Sequence, residues 1–159
     1  MQMVCQRLQC WVMARDRLDL GILLHRLTST VAQRELPLLR AHRLEMWDYV
    51  VLGGLEHDSA PNQAQLATSV RRDKTRLIAI LDRLEDRGLL HRTPNPDDRR
   101  NRIVTLTDAG RTLLADCGRD IRAMEADLLS TLSAADRTAF VGALSTLAEP
   151  TPEDTGVRQ

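Results

Sequence analysis

The chain has 159 residues, of which 43% are hydrophobic and 3% aromatic, and its formal net charge is zero. This length allows one domain with a proper core, or a small domain with helical extensions, and argues against two full domains. No apolar run approaches the roughly 18 residues that cross a bilayer, the start lacks a secretory h-region, and the three cysteines have no paired spacing. We therefore expect a cytoplasmic protein with no membrane partner.

Two helices are predicted in the first third of the chain, behind a short extension. Residues 1–15 are expected to form either an additional helix or a disordered leader. From residue 16 to about residue 36, leucines and a valine recur at helical spacing, and Pro37 is expected to end or kink this helix. Residues 44–57 form a further apolar helical stretch, which a loop follows.

A short helix, a tight turn and a second helix come next. The short helix is predicted over residues 63–70, and Arg71-Arg72 breaks it. Asp73 stands where a helix N-cap is needed, and Gly88 stands where a C′ glycine ends a helix. The apolar residues between them repeat at spacings of three, four and seven, so one side of this helix faces a core: Leu77, Ile80, Leu81 and Leu84.

The second of these helices presents a small, basic face to solvent. At about 100° per residue, Thr75 and Ala79 point away from the apolar side. Positive side chains crowd the start of the helix, where the macrodipole favours anions, so that an external phosphate would compensate them: Arg71, Arg72, Lys74 and Arg76. The alternative is a solvated basic face that Asp73 partly balances.

Two short strands joined by a loop are predicted beyond this helix. Residues 89–93 and 102–106 alternate apolar and polar side chains, and Pro94, Asn95 and Pro96 forbid regular structure between them. The strands would form a wing beside the two helices. Together these elements predict a winged helix-turn-helix, which is a device that reads DNA.

Charge is distributed unevenly although it sums to zero. Residues 71–102 include ten basic and six acidic residues, a net charge of +4. The residues after Thr107 include five basic and nine acidic residues, a net charge of −4. The basic segment coincides with the predicted DNA reader, as binding to a polyanion requires.

Long helices are predicted after the wing. Thr107 and Asp108 cap the first of them, and Ser133 and Asp136 stand in the positions of a capping box at the start of the last. Residues 150–159 are expected to form a disordered tail.

The predicted fold class is mainly α (α+β). Residues 45–107 form the winged helix-turn-helix DNA-binding domain. The terminal helices carry more apolar surface than such a small domain can cover, so residues 16–44 and 108–149 are expected to form a dimerisation domain with a second copy. Two DNA-reading helices would then lie roughly 34 Å apart, one turn of DNA, and the target would be a near-palindrome.

Three segments carry a resemblance to a known family: Asp82-Arg83-Leu84-Glu85-Asp86-Arg87-Gly88-Leu89-Leu90, Asp98-Arg99-Arg100 and Leu106-Thr107-Asp108-Ala109-Gly110. In residue type and spacing they resemble the pattern of the MarR family of bacterial transcriptional regulators, from about residue 16 to residue 147. The resemblance implies that the recognition helix enters the major groove and begins at Asp73, Lys74, Thr75 and Arg76. It also implies wing-tip arginines that reach the minor groove or its phosphates, Arg99 and Arg100.

Several features of the predicted interface stay open. Asp98 matches an acidic residue that holds the wing arginine in place, but it could equally be a turn-forming aspartate. Thr75 could contact a thymine methyl group or a phosphate. The turn has Arg71-Arg72 where the family often has Gly-Val or Gly-Ile, and Asp73 replaces the frequent Ser. The full set of predicted DNA-binding residues is Arg71, Arg72, Asp73, Lys74, Thr75, Arg76, Arg83, Asp98, Arg99, Arg100 and Arg102.

The resemblance further implies a small aromatic or phenolic effector, bound between the dimerisation helices and the DNA-binding domain. The polar or aromatic candidates there are His25, His42, Trp47, Tyr49 and Arg111. Cys5 or Cys10 could instead sense oxidants, whereas Cys117 lies on an apolar helical stripe and suits a core. No cofactor, metal site or catalytic grouping is predicted, so an enzyme is not expected.

The sequence thus predicts a homodimeric repressor that binds double-stranded DNA and leaves its operator when an effector binds. Linkage requires that such an effector bind the DNA-incompetent state better. The rival from another class is a winged-helix module that contacts proteins and has no affinity for DNA. Salt-dependent DNA binding distinguishes the two.

Overall fold

The computed structural model describes residues 19–57, 63–70, 73–96, 98 and 101–148. The predicted N-terminal extension and C-terminal tail lie outside this part. Its elements in chain order are α1 (Leu20–Ala41), α2 (Met46–His57), α3 (Gln63–Ser69), α4 (Lys74–Asp86), β1 (Leu90–Pro94), β2 (Arg102–Leu106), α5 (Asp108–Leu128), a 3₁₀ turn (Leu129–Thr131) and α6 (Ala134–Ala148). The predicted class, mainly helical with a small winged sheet, is confirmed.

The chain divides into two compact units, the first ending at Gly118 and the second beginning at Arg119. The first unit holds α1 to α4, the sheet and the start of α5. The second holds the rest of α5, the 3₁₀ turn and α6. No described helix combines the length and the apolar character needed to cross a bilayer.

Helix α1 continues through Pro37 to Ala41, so this proline does not end the helix, and a kink there stays a prediction. A proline at this position lacks the N–H that would bond to the carbonyl of Gln33, and water can satisfy that carbonyl because Gln33 is exposed. The last turn is anchored by Leu39, which is fully buried. Burying one leucine contributes about 1.5–3 kcal/mol, which is close to the roughly 3 kcal/mol that a helical proline costs.

The core of the first unit lies between α2, α3, α4 and the two strands, which pack against one another. Helix α4 contributes the four residues predicted for its apolar side: Leu77, Ile80, Leu81 and Leu84. Helix α2 contributes Val51, Leu52 and Leu55, and the strands contribute Leu90, Val104 and Leu106. These leucines and valines fix how α4 sits against the wing.

The wing is an antiparallel pair in which Leu90 lies opposite Leu106 and Pro94 lies opposite Arg102. Strand β1 therefore includes Pro94, whereas the sequence predicts this proline in the connecting loop. A proline is tolerated there because it stands at the last position of a strand in a two-stranded sheet. The loop closes through the N–H of Asn95, which donates to the carbonyl of Asn101 at 3.0 Å.

Helix α6, in the second unit, begins as predicted at a serine cap. The Oγ of Ser133 accepts the N–H of Asp136 at 3.2 Å, and its hydroxyl donates to the Asp136 carboxylate at 2.7 Å. Helix α6 leaves large apolar side chains on its surface, among them Leu147, which is 79% exposed. Helix α1 of the first unit does the same at Leu20, Ile22, Leu23 and Leu24.

Candidate nucleic-acid interface

The start of α4 is capped as predicted. A carboxylate oxygen of Asp73 accepts the N–H of Arg76 at 3.0 Å, and the Asp73 carbonyl accepts the N–H of Leu77 at 3.1 Å. The other carboxylate oxygen lies 3.4 Å from Nε of Arg76. Because the Arg76 side chain is 68% exposed, this ion pair is worth at most about 1 kcal/mol. An incoming phosphate or base edge can therefore replace Asp73 as the partner of Arg76.

Thr75 and Ala79 are exposed, as the helical periodicity predicted. Arg71, Arg72 and the side chain of Lys74 lie outside the described residues. Their part in the basic start of α4 therefore remains a prediction from the sequence.

Arg83, predicted on the flank of the outward face, is 40% exposed at its side chain, and its guanidinium is paired with two carboxylates of the protein. Its Nη2 donates to Asp48 at 2.5 Å and to Glu45 at 3.0 Å. Asp48 is only 1% exposed, accepts the N–H of Glu45 at 2.9 Å and lies 3.9 Å from Nη1 of Arg87. The hydrogen bond to Asp48 raises the pKa of Arg83. Arg83 thus ties α4 to the start of α2.

Arg92, whose role sequence reasoning missed, joins the wing to α4. Its backbone N–H donates to one carboxylate oxygen of Glu85 at 2.8 Å, and its Nε donates to the other at 2.7 Å. Its Nη2 lies 2.6 Å from Asp82. The side chain is 13% exposed. Burial acts to lower the pKa of Arg92, but the bonds to Glu85 and Asp82 outweigh it and raise the pKa.

This clamp also changes the charge that α4 presents. Without Arg92, the carboxylates of Asp82 and Glu85 would leave the second half of α4 acidic, where it would repel phosphates. Arg92 brings one positive charge to these two carboxylates, so it reduces the negative charge of that half without cancelling it. The spacing of two acidic residues three apart on one helix was the available signal, but it did not identify the arginine that joins them.

Arg92→Met is expected to lower the free energy of unfolding by about 1.5–3 kcal/mol near neutral pH, because it removes charge-assisted hydrogen bonds from a largely buried group. The hydrogen bond from Arg92 lowers the pKa of Glu85 below its ordinary value of 4.5. The stabilisation is therefore fully present above that value and is lost as the pH falls through the lowered folded-state pKa.

Urea titrations over a pH series measure this effect. The stability difference between wild type and Arg92→Met should shrink in the acid range. Arg102→Met is the control, since Arg102 is exposed and acts on Glu85 through charge; it should change stability by less than about 0.5 kcal/mol. A difference between wild type and Arg92→Met that does not vary with pH would contradict the assignment.

The tip of the wing is shaped by Asp98. Its carbonyl accepts the N–H of Asn101 at 2.9 Å, and its carboxylate accepts the side-chain amide of Asn101 at 2.8 Å. The turn-forming role is therefore observed. Arg99 and Arg100 lie outside the described residues, so the ion pair with a wing arginine stays a prediction. Arg102 is exposed at the start of β2.

The five effector candidates have unlike surroundings. His25 is exposed, whereas His42, Trp47 and Tyr49 are partly buried. Trp47 and Tyr49 stand two residues apart on α2, so they do not share a face of that helix. Arg111 donates to the carbonyl of Leu106 at 3.0 Å, which engages it with its own chain. A shared role for these residues in one pocket stays a prediction.

Of the cysteines, Cys117 is fully buried on α5, as its apolar stripe predicted. Cys5 and Cys10 lie outside the described residues, so a redox role for either stays a prediction. Among the described residues, no group of three or more His, Cys, Asp or Glu side chains could hold a metal ion.

A model of the MarR family matches residues 44–101, which run from the start of α2 to the tip of the wing. The chain is 32% identical over 96 residues to the HTH-type transcriptional repressor NicR of Pseudomonas putida, an alignment that covers 58% of this chain and 59% of NicR. It thus spans about three-fifths of the length of this relative, and 60% of the putative transcriptional regulatory protein for the hcr operon of Thauera aromatica.

Solved structures match over most of the chain. The transcriptional repressor CouR bound to a 23-mer DNA duplex is 33% identical, covers 82% of this chain and 93% of its own, and superimposes with a TM-score of 0.76. CouR from Rhodococcus jostii RHA1 bound to p-coumaroyl-CoA gives 29% identity, 84% and 94% coverage and a TM-score of 0.72. A MarR-family regulator from Rhodococcus sp. RHA1 gives 28% identity, 84% and 94% coverage and a TM-score of 0.75.

Proposed function

Since this chain belongs to the MarR family, we propose that it is a transcriptional regulator that binds double-stranded DNA at specific sequences. The observation that carries the proposal is the arrangement of α4 and the wing. Helix α4 is capped, it starts within a basic segment, and the Arg92 clamp holds the wing against it. A related chain of the same fold has been solved on a DNA duplex. Chromosomal DNA as target implies a cytoplasmic protein.

In this proposal α4 enters the major groove and the tip of the wing reaches the neighbouring minor groove or its phosphates. Arg76 is the residue of α4 best able to read a base, because its ion pair with Asp73 is weak and exposed. Arg71, Arg72 and Lys74 bind phosphates at the start of α4, and Arg99, Arg100 and Arg102 do so at the wing. Arg83 is left out of the interface, since Asp48 and Glu45 hold its guanidinium.

We further propose that the protein is a homodimer on a near-palindromic operator. Support comes from the large apolar side chains that α1 and α6 expose, since apolar patches of this kind mark interfaces. Two-fold symmetry would set the two copies of α4 about one DNA turn apart, roughly 34 Å. The same symmetry in the DNA makes each half-site equivalent.

The finer proposal is a repressor released by a small aromatic or phenolic effector. Its support is the p-coumaroyl-CoA bound in a related structure. Such a molecule weakens DNA binding only if it binds the DNA-incompetent spacing of the dimer more tightly. An oxidant acting on Cys5 or Cys10 is the alternative trigger.

Selection of bound duplexes from a random library, followed by titration with salt, tests the proposed function. A dimer that neutralises about six phosphates should lose about a thousandfold in affinity between about 50 and 200 mM salt. Repeating the titration with phenolic acids and with peroxide separates the two triggers. Failure to bind any duplex at low salt would favour the module that contacts proteins instead.

Arg76→Ala is expected to weaken binding to the selected duplex by about 1–3 kcal/mol, because an arginine can donate twice to guanine O6 and N7. Arg76→Lys is the matched variant. Lysine keeps the charge for phosphates but lacks the planar fork, so it should retain non-specific affinity and lose discrimination between bases. A gel-shift titration in which Arg76→Ala binds as tightly as wild type would show that Arg76 reads no base.

A further inference from the structure

The outward face of α4 carries three side chains that end in methyl groups: Thr75, Ile78 and Ala79. All three are exposed, and they stand three and four residues apart, so they are neighbours on the helix surface. Ile78 is the largest, and its exposure is 36%. A single exposed isoleucine is ordinary on a protein surface. An isoleucine beside two smaller side chains that carry methyl groups, on the face that would meet DNA, has a more specific use.

The core does not explain this isoleucine. Leu77, Leu81 and Leu84 are fully buried and already fill the inward side of α4. At about 100° per residue, Ile78 lies beside the direction in which Thr75 and Ala79 point, on the flank opposite Arg76. Ile78 is therefore not one of the buried residues that form the core.

The polar groups near Ile78 limit what this face can read. Asp82, one turn further along α4, is bound to Arg92. Helix α4 contains neither Asn nor Gln, the side chains that bond adenine twice in the major groove. Apart from Arg76, the hydroxyl of Thr75 and the half-exposed carboxylate of Asp82, which Arg92 holds, the described middle of α4 thus offers methyl groups to the bases.

We infer that Ile78, beside Thr75 and Ala79, determines specificity by packing against the C5-methyl group of a thymine in the major groove. That methyl is the apolar group that the base edges present there. Of the two contacts left open for Thr75, a thymine methyl is the one that this patch favours. The inference rests on the proposed DNA binding and specifies which base the middle of α4 reads.

The test combines a substitution at Ile78 with the removal of thymine methyl groups from the DNA. The probe is the duplex recovered by selection, and each thymine of one half-site is replaced in turn by deoxyuridine, which lacks only the C5-methyl group. Loss of one buried methyl contact corresponds to about a fourfold loss of affinity. Wild type should show this loss at one or two thymines, and Ile78→Ala should bind weakly but equally to the thymine and uracil duplexes.

A DNA control, a folding check and a second variant accompany this test. Uracil placed outside the selected half-site should leave both proteins unchanged. Alanine favours a helix at an exposed site, so Ile78→Ala should fold, and its helical circular dichroism verifies this. Should Ile78→Ala bind too weakly to titrate, Ile78→Val, which keeps two methyl groups, should show a thymine preference smaller than that of wild type.

Two results would overturn the inference while leaving the proposed function intact. One is specific, salt-dependent binding by wild type that is indifferent to uracil at every position. The other is the same uracil effect in wild type and in both Ile78 variants, which would mean that another side chain contacts the methyl group. Absence of binding to any duplex would instead reject the proposed function itself.

Discussion

Replacing Arg83 with methionine is expected to lower the free energy of unfolding by about 3 kcal/mol, because it leaves a buried carboxylate without its main cation. Asp48 is 1% exposed, whereas Arg83 is 40% exposed at its side chain, so the two ends of this pair are not equivalent. The N–H of Glu45 and the more distant Arg87 still compensate Asp48 in part. They place the cost at the lower end of the range for broken buried pairs.

Urea unfolding of three variants measures this asymmetry. Arg83→Lys keeps a positive charge and should cost less than Arg83→Met. Asp48→Asn should also cost less, since its side-chain oxygen can still accept the N–H of Glu45 and the exposed part of Arg83 can be hydrated. If Arg83→Met and Asp48→Asn were equally destabilising, the buried carboxylate would not be the source of the loss.

The double variant Asp48→Asn with Arg83→Met completes the cycle. Residues in direct contact are expected to be coupled, so the double variant should lose less stability than the two single losses added together. Strictly additive losses would mean that the ion pair between α2 and α4 contributes little. The folded fraction of Arg83→Met should lose affinity for DNA only through a shift of α4, because Arg83 itself is not placed in the interface.

Gly110→Ala is expected to cost about 3 kcal/mol or more, because the added Cβ would lie 2.0 Å from the carbonyl oxygen of Leu89 and 3.0 Å from its carbonyl carbon. That carbonyl cannot withdraw easily, since it accepts the N–H of Thr107 at 3.1 Å. Thr107 is itself held on both sides: its hydroxyl donates to the carbonyl of Gly88 at 2.7 Å and accepts the N–H of Gly110 at 3.0 Å. The start of α5 therefore closes against the base of the wing only if residue 110 has no side chain.

Gly53→Ala is the matched control for this prediction. Gly53 is also helical, but a Cβ built there meets nothing within 4 Å. Alanine should be neutral there, or stabilising by about 0.5–1 kcal/mol through its helix propensity. Denaturant midpoints report both variants. Equal denaturant midpoints for Gly110→Ala and wild type would show that the backbone around Leu89 can move to accommodate the added Cβ.

This contact gives a physical reason for one part of the resemblance noted in the sequence. In Leu106-Thr107-Asp108-Ala109-Gly110, Leu106 is buried in the core, Thr107 caps α5 and Gly110 permits the close approach. These three positions serve the junction between the wing and α5.

Local features were predicted well where their causes act over a few residues. Helix α4 is the best case, since Asp73 caps it, Gly88 ends it with a φ of +67° and its leucines face one side. The paired strands followed from alternation in the same way, to within one residue at Pro94. At Pro37 the predicted helix end is wrong, because burial of Leu39 offsets the cost of a helical proline.

The sequence by itself determined the order of helices and strands, the caps of α4, α5 and α6, and the basic character of residues 71–102, because capping, periodicity and charge are legible within one or two turns of chain. Only the tertiary structure decided which of the described arginines are held by carboxylates of the protein and which stay exposed. Arg76, Arg83 and Arg92 are the same residue type within one segment, but folding brings Asp48 to Arg83 and Glu85 to Arg92. A guanidinium held by such partners serves the fold, and only an exposed one, such as Arg76, can exchange its partner for a nucleic acid.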